Sequence, residues 1–162
     1  MGEAAATAYV GVIGGGAADS PDLEAAEAVG AGLARAGAIL VCGGLGGVME
    51  AACRGARQAG GRTIGLLPGR DRGAANPWVE IAIATGLGEL RNGLVVRSAD
   101  GLIAVGGEWG TLSEIALALK VGKPVIGLGT WDLDREGGAR EDILVARDAA
   151  DAVARVLRHA SG

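Results

Sequence analysis

Three times along this 162-residue chain an apolar run ends in a cluster of glycines and is followed by apolar residues at helical spacing. Residues 104–120, AVGGEWGTLSEIALALK, are the clearest instance: a run closes at Val105, residues 106–110 form a glycine-rich turn, and Leu112, Ile115, Ala116 and Leu119 recur on one helix face. Residues 9–13 with the glycines 14–16, and 38–42 with 43–47, repeat the succession, their helices running to about Ala36 and Ala59. Ser20 and Pro21 read as N-cap and first-turn proline of the earlier helix, and Gly37 as its stop. Further strands are expected at 63–67, 79–84, 102–105 and 125–128, with a short one at 143–145. Helices are expected at 88–99 and 148–159. Apolar strands with no polar alternation, separated by helices, belong in a parallel sheet covered on both sides. The expected fold class is α/β: a single doubly wound parallel sheet of six or seven strands with helices on both faces, Rossmann-like, with residues 1–162 as one domain.

Such junctions have a chemistry. The first N–H groups of a helix have no partner within it and point at the preceding loop, with the positive end of the helix dipole behind them. Glycine removes the side chains that would hold an anion off, so phosphate is the ligand these loops favour. In doubly wound sheets ligands sit beyond the carboxyl ends of the strands, where the winding reverses. All three glycine clusters fall at such ends and can converge on one cleft. Four glycines among residues 43–47 exceed what a turn requires. A dinucleotide fingerprint is absent, because the first loop reads Gly14-Gly15-Gly16-Ala17-Ala18-Asp19 and the second strand ends in Cys42-Gly43 with no acidic residue. There is no Gly-Lys-Ser/Thr triplet, which excludes a Walker A loop.

Composition removes other classes. The net charge is −4 with arginines scattered singly, the sequence pI is about 5.0, and no nucleic-acid partner is expected. Hydrophobic residues make up 49% of the chain, yet no run approaches the roughly 18 needed to cross a bilayer, so no membrane partner is expected. An early Glu3 without a basic stretch argues against a signal peptide, and Ala6 against myristoylation at Gly2. A cytoplasmic protein is expected. Cys42 and Cys53 read as buried reduced thiols. The sole histidine, His159, leaves no basis for a histidine metal site or a Ser-His-Asp triad.

Two residues stand out near the loops. Thr111-Leu112-Ser113-Glu114 spells a capping box, with Thr111 as N-cap and Glu114 at N3, which would give Glu114 a structural role. Arg91 falls in the first turn of a helix, where a cation opposes the dipole, a placement against local preference. Asp132, Asp134 and Glu136 read as a solvated turn rather than a magnesium site, since nothing fixes octahedral geometry, and no metal is expected.

Taken together, Gly43-Gly44 with Gly47-Val48-Met49, Thr85-Gly86-Leu87-Gly88, Arg91-Asn92, and Gly106-Gly107 with Gly110-Thr111-Leu112-Ser113-Glu114 resemble one family across nearly the whole chain. It is the Rossmann-like group often labelled "lysine decarboxylase-like", which contains cytokinin-activating nucleoside-monophosphate phosphoribohydrolases and molybdenum-cofactor carrier proteins. The hydrolase branch reads P-G-G-x-G-T-x-x-E with an upstream Arg-Lys pair; here Gly106, Glu108 and Asn92 depart from it, while Arg91 and Glu114 match its catalytic pair. The carrier-like branch reads Arg-Asn followed by G-G-G-x-G-T-L-S-E and is the closer fit, departing mainly at Glu108. The resemblance implies a binding protein for a phosphorylated, nucleotide-like small molecule, with a molybdopterin-type cofactor as cargo and a homodimer or homotetramer as the assembly. The alternative is an enzyme cleaving the N-glycosidic bond of a nucleoside 5′-monophosphate, with Arg91 and Glu114 catalytic. Ligand contacts are expected from Gly14, Gly15, Gly43, Gly44, Gly46, Gly47, Arg91, Asn92, Gly106, Gly107, Gly110, Thr111 and Glu114. Glu108 would oppose an anion by roughly 4 kcal/mol at about 4 Å and an effective dielectric of about 20. Its side chain is therefore expected to point out of the cleft.

Overall fold

The structure is a computed structural model that describes residues 6–133 and 142–160. Its strands are β1 (Tyr9–Gly14), β2 (Ile39–Cys42), β3 (Arg62–Leu67), β4 (Ile81–Ala84), β5 (Gly101–Val105), β6 (Val125–Leu128) and β7 (Leu144–Val145). The α-helices are α1 (Ser20–Arg35), α2 (Val48–Gln58), α3 (Arg91–Ser98), α4 (Trp109–Lys120) and α5 (Ala149–Ala160). The strands form one seven-stranded sheet in the order β4-β3-β2-β1-β5-β6-β7, every neighbouring pair parallel. The fold is the Rossmann-like α/β sheet that the sequence pattern implies. Winding runs outward in opposite directions from β1 and β5, so the crevice beyond their carboxyl ends is the switch point.

Alternation along each strand sorts the core into two layers. Val10, Val12, Leu40, Ile103 and Val105 pack with Val29 and Leu33 of α1, Ala52 and Cys53 of α2, and Val153 and Val156 of α5. Ile13, Val41, Leu102 and Ala104 face the other way, against Val95 and Val96 of α3 and Ile115 and Ala118 of α4. One face of the sheet thus carries three helices and the other two. On the two-helix side Ile81 and Ile83 of edge strand β4 and Leu87, Leu90 and Leu94 beside and along α3 remain exposed, Leu90 at 78%.

Several boundaries differ from the sequence reading, two of them for a visible side-chain reason. Asp19, not Ser20, caps α1, its carboxylate accepting the Asp22 N–H at 3.2 Å. β4 starts at Ile81 rather than at residue 79, because the Thr63 hydroxyl donates to the Trp78 carbonyl at 2.7 Å and accepts the Glu80 N–H at 2.9 Å in place of ladder bonds. Cys42 and Cys53 are free, buried thiols with sulfurs 3.5 Å apart. No described helix is long and apolar enough to cross a membrane.

Candidate functional site

At the switch point lies a cleft of about 130 Å³, lined by Val12, Ile13, Gly14, Gly43, Met49, Arg91, Asn92, Glu108, Gly110, Thr111 and Glu114. β1 delivers Val12, Ile13 and Gly14, β2 runs into Gly43, α2 contributes Met49, α3 presents Arg91 and Asn92 from its first turn, and α4 with its N-cap Glu108 contributes the rest.

Arg91 is the centre of this arrangement. It is only 8% exposed, and its guanidinium lies on the bare face of Gly43, where a Cβ would come within 2.5 Å of Nη1. Glycine at position 43 is therefore what admits the arginine. Nη1 donates to Asn92 Oδ1 at 2.7 Å, while the buried Nε has no hydrogen-bond partner. Among the described residues Arg91 makes no ion pair. A buried donor without a partner is costly, so Nε stands as an unmet donor on a residue that lines the cleft.

Glu114 is buried at 7% exposure on the same side of α4 as Thr111, Ile115 and Ala118. Burial pushes its carboxyl up to about 7, against the opposing pull of the Arg91 charge. The expected capping role is overturned. Helix α4 begins a turn earlier, at Trp109, with Glu108 as N-cap and Thr111 at N3 closing the capping box; Thr111 Oγ1 accepts the Glu108 N–H at 3.3 Å. That places Glu114 well inside the helix, free to face the cleft. The cause is tertiary. Glu108 Oε1 also accepts the Ala17 N–H from the β1–α1 loop at 3.3 Å, a partner that local sequence does not reveal.

The same contact shows where the Glu108 side chain goes. Glu108 is among the residues lining the cleft, and its carboxylate is held toward the β1–α1 loop, close enough to Gly15 that a Cβ there would sit 2.9 Å from Oε1.

Of the glycines singled out from sequence, Gly14, Gly43 and Gly110 line the cleft, together with Arg91, Asn92, Thr111 and Glu114; Gly15, Gly44, Gly46, Gly47, Gly106 and Gly107 are not among its lining residues. Gly47, at φ +66°, packs so tightly that a Cβ would overlap the Gly15 carbonyl, which accepts the Val48 N–H at 3.1 Å. The first amide of α2 is thus spent on the neighbouring loop rather than left for a ligand. Gly44 packs on Leu67, and Gly106 leaves room for the Asp22 carboxylate. Val12, Ile13 and Met49 also form part of the wall, apolar residues that carry no sequence signal separating them from core. Asp134 and Glu136 lie outside the described residues, and no group of three His, Cys, Asp or Glu among the described residues is placed to hold a metal ion.

A family model, the SLOG cluster4 family, matches residues 7–157. The chain belongs to the SLOG cluster4 family. It is 48% identical to an uncharacterised protein of Archaeoglobus fulgidus over 119 residues, 74% of this chain and 78% of that one. Among solved structures, the molybdenum cofactor binding protein of Rippkaea orientalis superposes with a TM-score of 0.86 at 37% identity, covering 96% of this chain and 98% of that one. The molybdenum cofactor carrier protein of Chlamydomonas reinhardtii gives a TM-score of 0.82 at 36% identity, with 97% and 100% covered.

Proposed function

We propose that this SLOG cluster4 protein binds and carries a phosphorylated, pterin-type cofactor, the molybdenum cofactor being its cargo. The observation that carries this reading is the buried Arg91, lining a glycine-walled cleft with its Nε unpartnered, in a chain that matches two molybdenum-cofactor proteins over nearly its full length. Arg91 is the cation for the ligand's phosphate, and the bare Gly14 and Gly43 let that phosphate approach the backbone. Asn92, Thr111 and Glu114 supply polar contacts for the remainder. A Glu114 that protonates near neutral pH can either donate or accept a hydrogen bond.

The finer assignment follows: the chain is a carrier-like member of the wider "lysine decarboxylase-like" group, acting as one domain in the cytoplasm. A second copy of the chain covers the apolar strip on the two-helix face. Its charges favour self-association, because exposed Glu89 stands at the start of α3 and exposed Arg97 at its end, so antiparallel pairing brings each against its opposite.

One observation favours a second reading. Arg91 and Glu114 line the same cleft, and Glu114 is held where a carboxyl can exchange a proton at neutral pH, as N-glycosidic cleavage of a nucleoside 5′-monophosphate requires. Incubation with adenosine monophosphate or a cytokinin riboside monophosphate separates the two. The carrier releases no free base above background; base release that disappears in Arg91→Ala or Glu114→Ala establishes the hydrolase instead.

A further inference from the structure

The β5–α4 turn is held from several sides. Gly106 and Gly107 adopt φ +54° and +138°, and Trp131 Nε1 donates to the Glu108 carbonyl at 3.3 Å, its ring 5.3 Å from that of Trp109. With its backbone so fixed, Glu108 lines the cleft and its Oε1 accepts the Ala17 N–H at 3.3 Å. One carboxylate thereby serves the β1–α1 loop and the start of α4, the backbone groups that elsewhere in such folds attract a phosphate. The same cleft is lined by Arg91, a side chain only 8% exposed whose Nε has no hydrogen-bond partner, and so offers a donor to an acceptor.

We propose that Glu108 is a resident anion which a phosphorylated ligand must displace, making it the residue that discriminates against small phosphates. This rests on reading the cleft as a phosphate site. Inorganic phosphate or pyrophosphate gains only Arg91 and the donors Glu108 relinquishes, and meets the Glu108 negative charge as well. A phosphate joined to a polar ring system also gains Asn92, Thr111 and Glu114. The Glu108 residue is itself exposed to solvent, so its side chain can swing outward without unpacking the core.

Calorimetric titration of inorganic pyrophosphate into the wild type, Glu108→Gly and Glu108→Gln tests this. The glycine variant is expected to bind at least about tenfold more tightly, and the glutamine variant, which loses the charge but keeps the bulk, to show a smaller gain. Gains below about threefold in both variants overturn the proposal. Glu50→Gln on α2 removes an equal charge outside the cleft lining, and an equal gain there also overturns it, by assigning the effect to overall charge. Thermal unfolding checks that each variant folds, and the glutamine variant preserves the test if loss of the α4 cap unfolds the glycine one. Protein that retains a pterin, with no gain in the Glu108 variants, overturns this inference alone. A gain in the variants of a protein that retains no pterin supports the inference and contradicts the carrier reading.

Discussion

Glu114 concentrates the physics of the site in one carboxyl. Burial raises it from the ordinary 4.5 to about 7, so between those values the folded chain holds a proton that the unfolded chain has released. The sign follows directly: stability falls as pH rises from about 4.5 through about 7, and the full loss, about 3 kcal/mol, is present above that. Glu114→Gln removes the titration. Its stability in urea should match the wild type near pH 4.5 and exceed it by about 2–3 kcal/mol at pH 8. A wild type and variant with parallel pH dependence would show that Glu114 is solvated.

Elements here are positioned by close backbone approach as much as by side-chain packing. Gly30 of α1 lies against the Ala52 carbonyl, and Gly55 of α2 against that of Glu27, so tightly that a Cβ at either would overlap the carbonyl. Alanine is the better helix former by about 1 kcal/mol, but overpacking costs about 1–3 kcal/mol or more, and at Gly30 the clash with backbone wins. Gly30→Ala should lower stability by at least about 2 kcal/mol. At Gly93 the nearest atom to a Cβ is a Leu117 methyl at an ordinary 3.6 Å, so Gly93→Ala should raise stability by about 0.5–1 kcal/mol. Chemical denaturation measures both; equal effects would mean the α1–α2 contact is looser than described. The strands and helices were legible because apolar runs and helical spacing record burial directly. The start of α4 was not. Glu108 and Thr111, and Thr111 and Glu114, spell overlapping capping boxes, and the choice between them rests on an Ala17 amide 91 residues away. The glycines misled in the same way: their spacing shows where backbones come close, but not whether the close neighbour is a ligand, as proposed at Gly14, or another loop, as at Gly47.

For the whole molecule, the unequal covering of the sheet is where the proposed self-association is tested. Ile81, Ile83, Leu87, Leu90 and Leu94 form the apolar strip on the two-helix face, and a strip of this kind beside an edge strand marks an interaction surface. Leu90→Glu, at a position 78% exposed, should leave the fold intact and shift the species seen by analytical ultracentrifugation from dimer or tetramer toward monomer. An unchanged assembly would move the interface elsewhere. The switch-point cleft, the buried arginine and the full-length likeness to cofactor-binding structures all bear on one claim, that this molecule holds a phosphorylated pterin rather than turning over a nucleotide. Its most direct test is to purify the protein from cells that make molybdopterin, release its small molecules, and identify them by mass spectrometry and pterin fluorescence. The account predicts a phosphorylated pterin at about one per chain, fitting a single cleft. Protein that carries no pterin, and instead releases a free base from a nucleoside monophosphate, would contradict it.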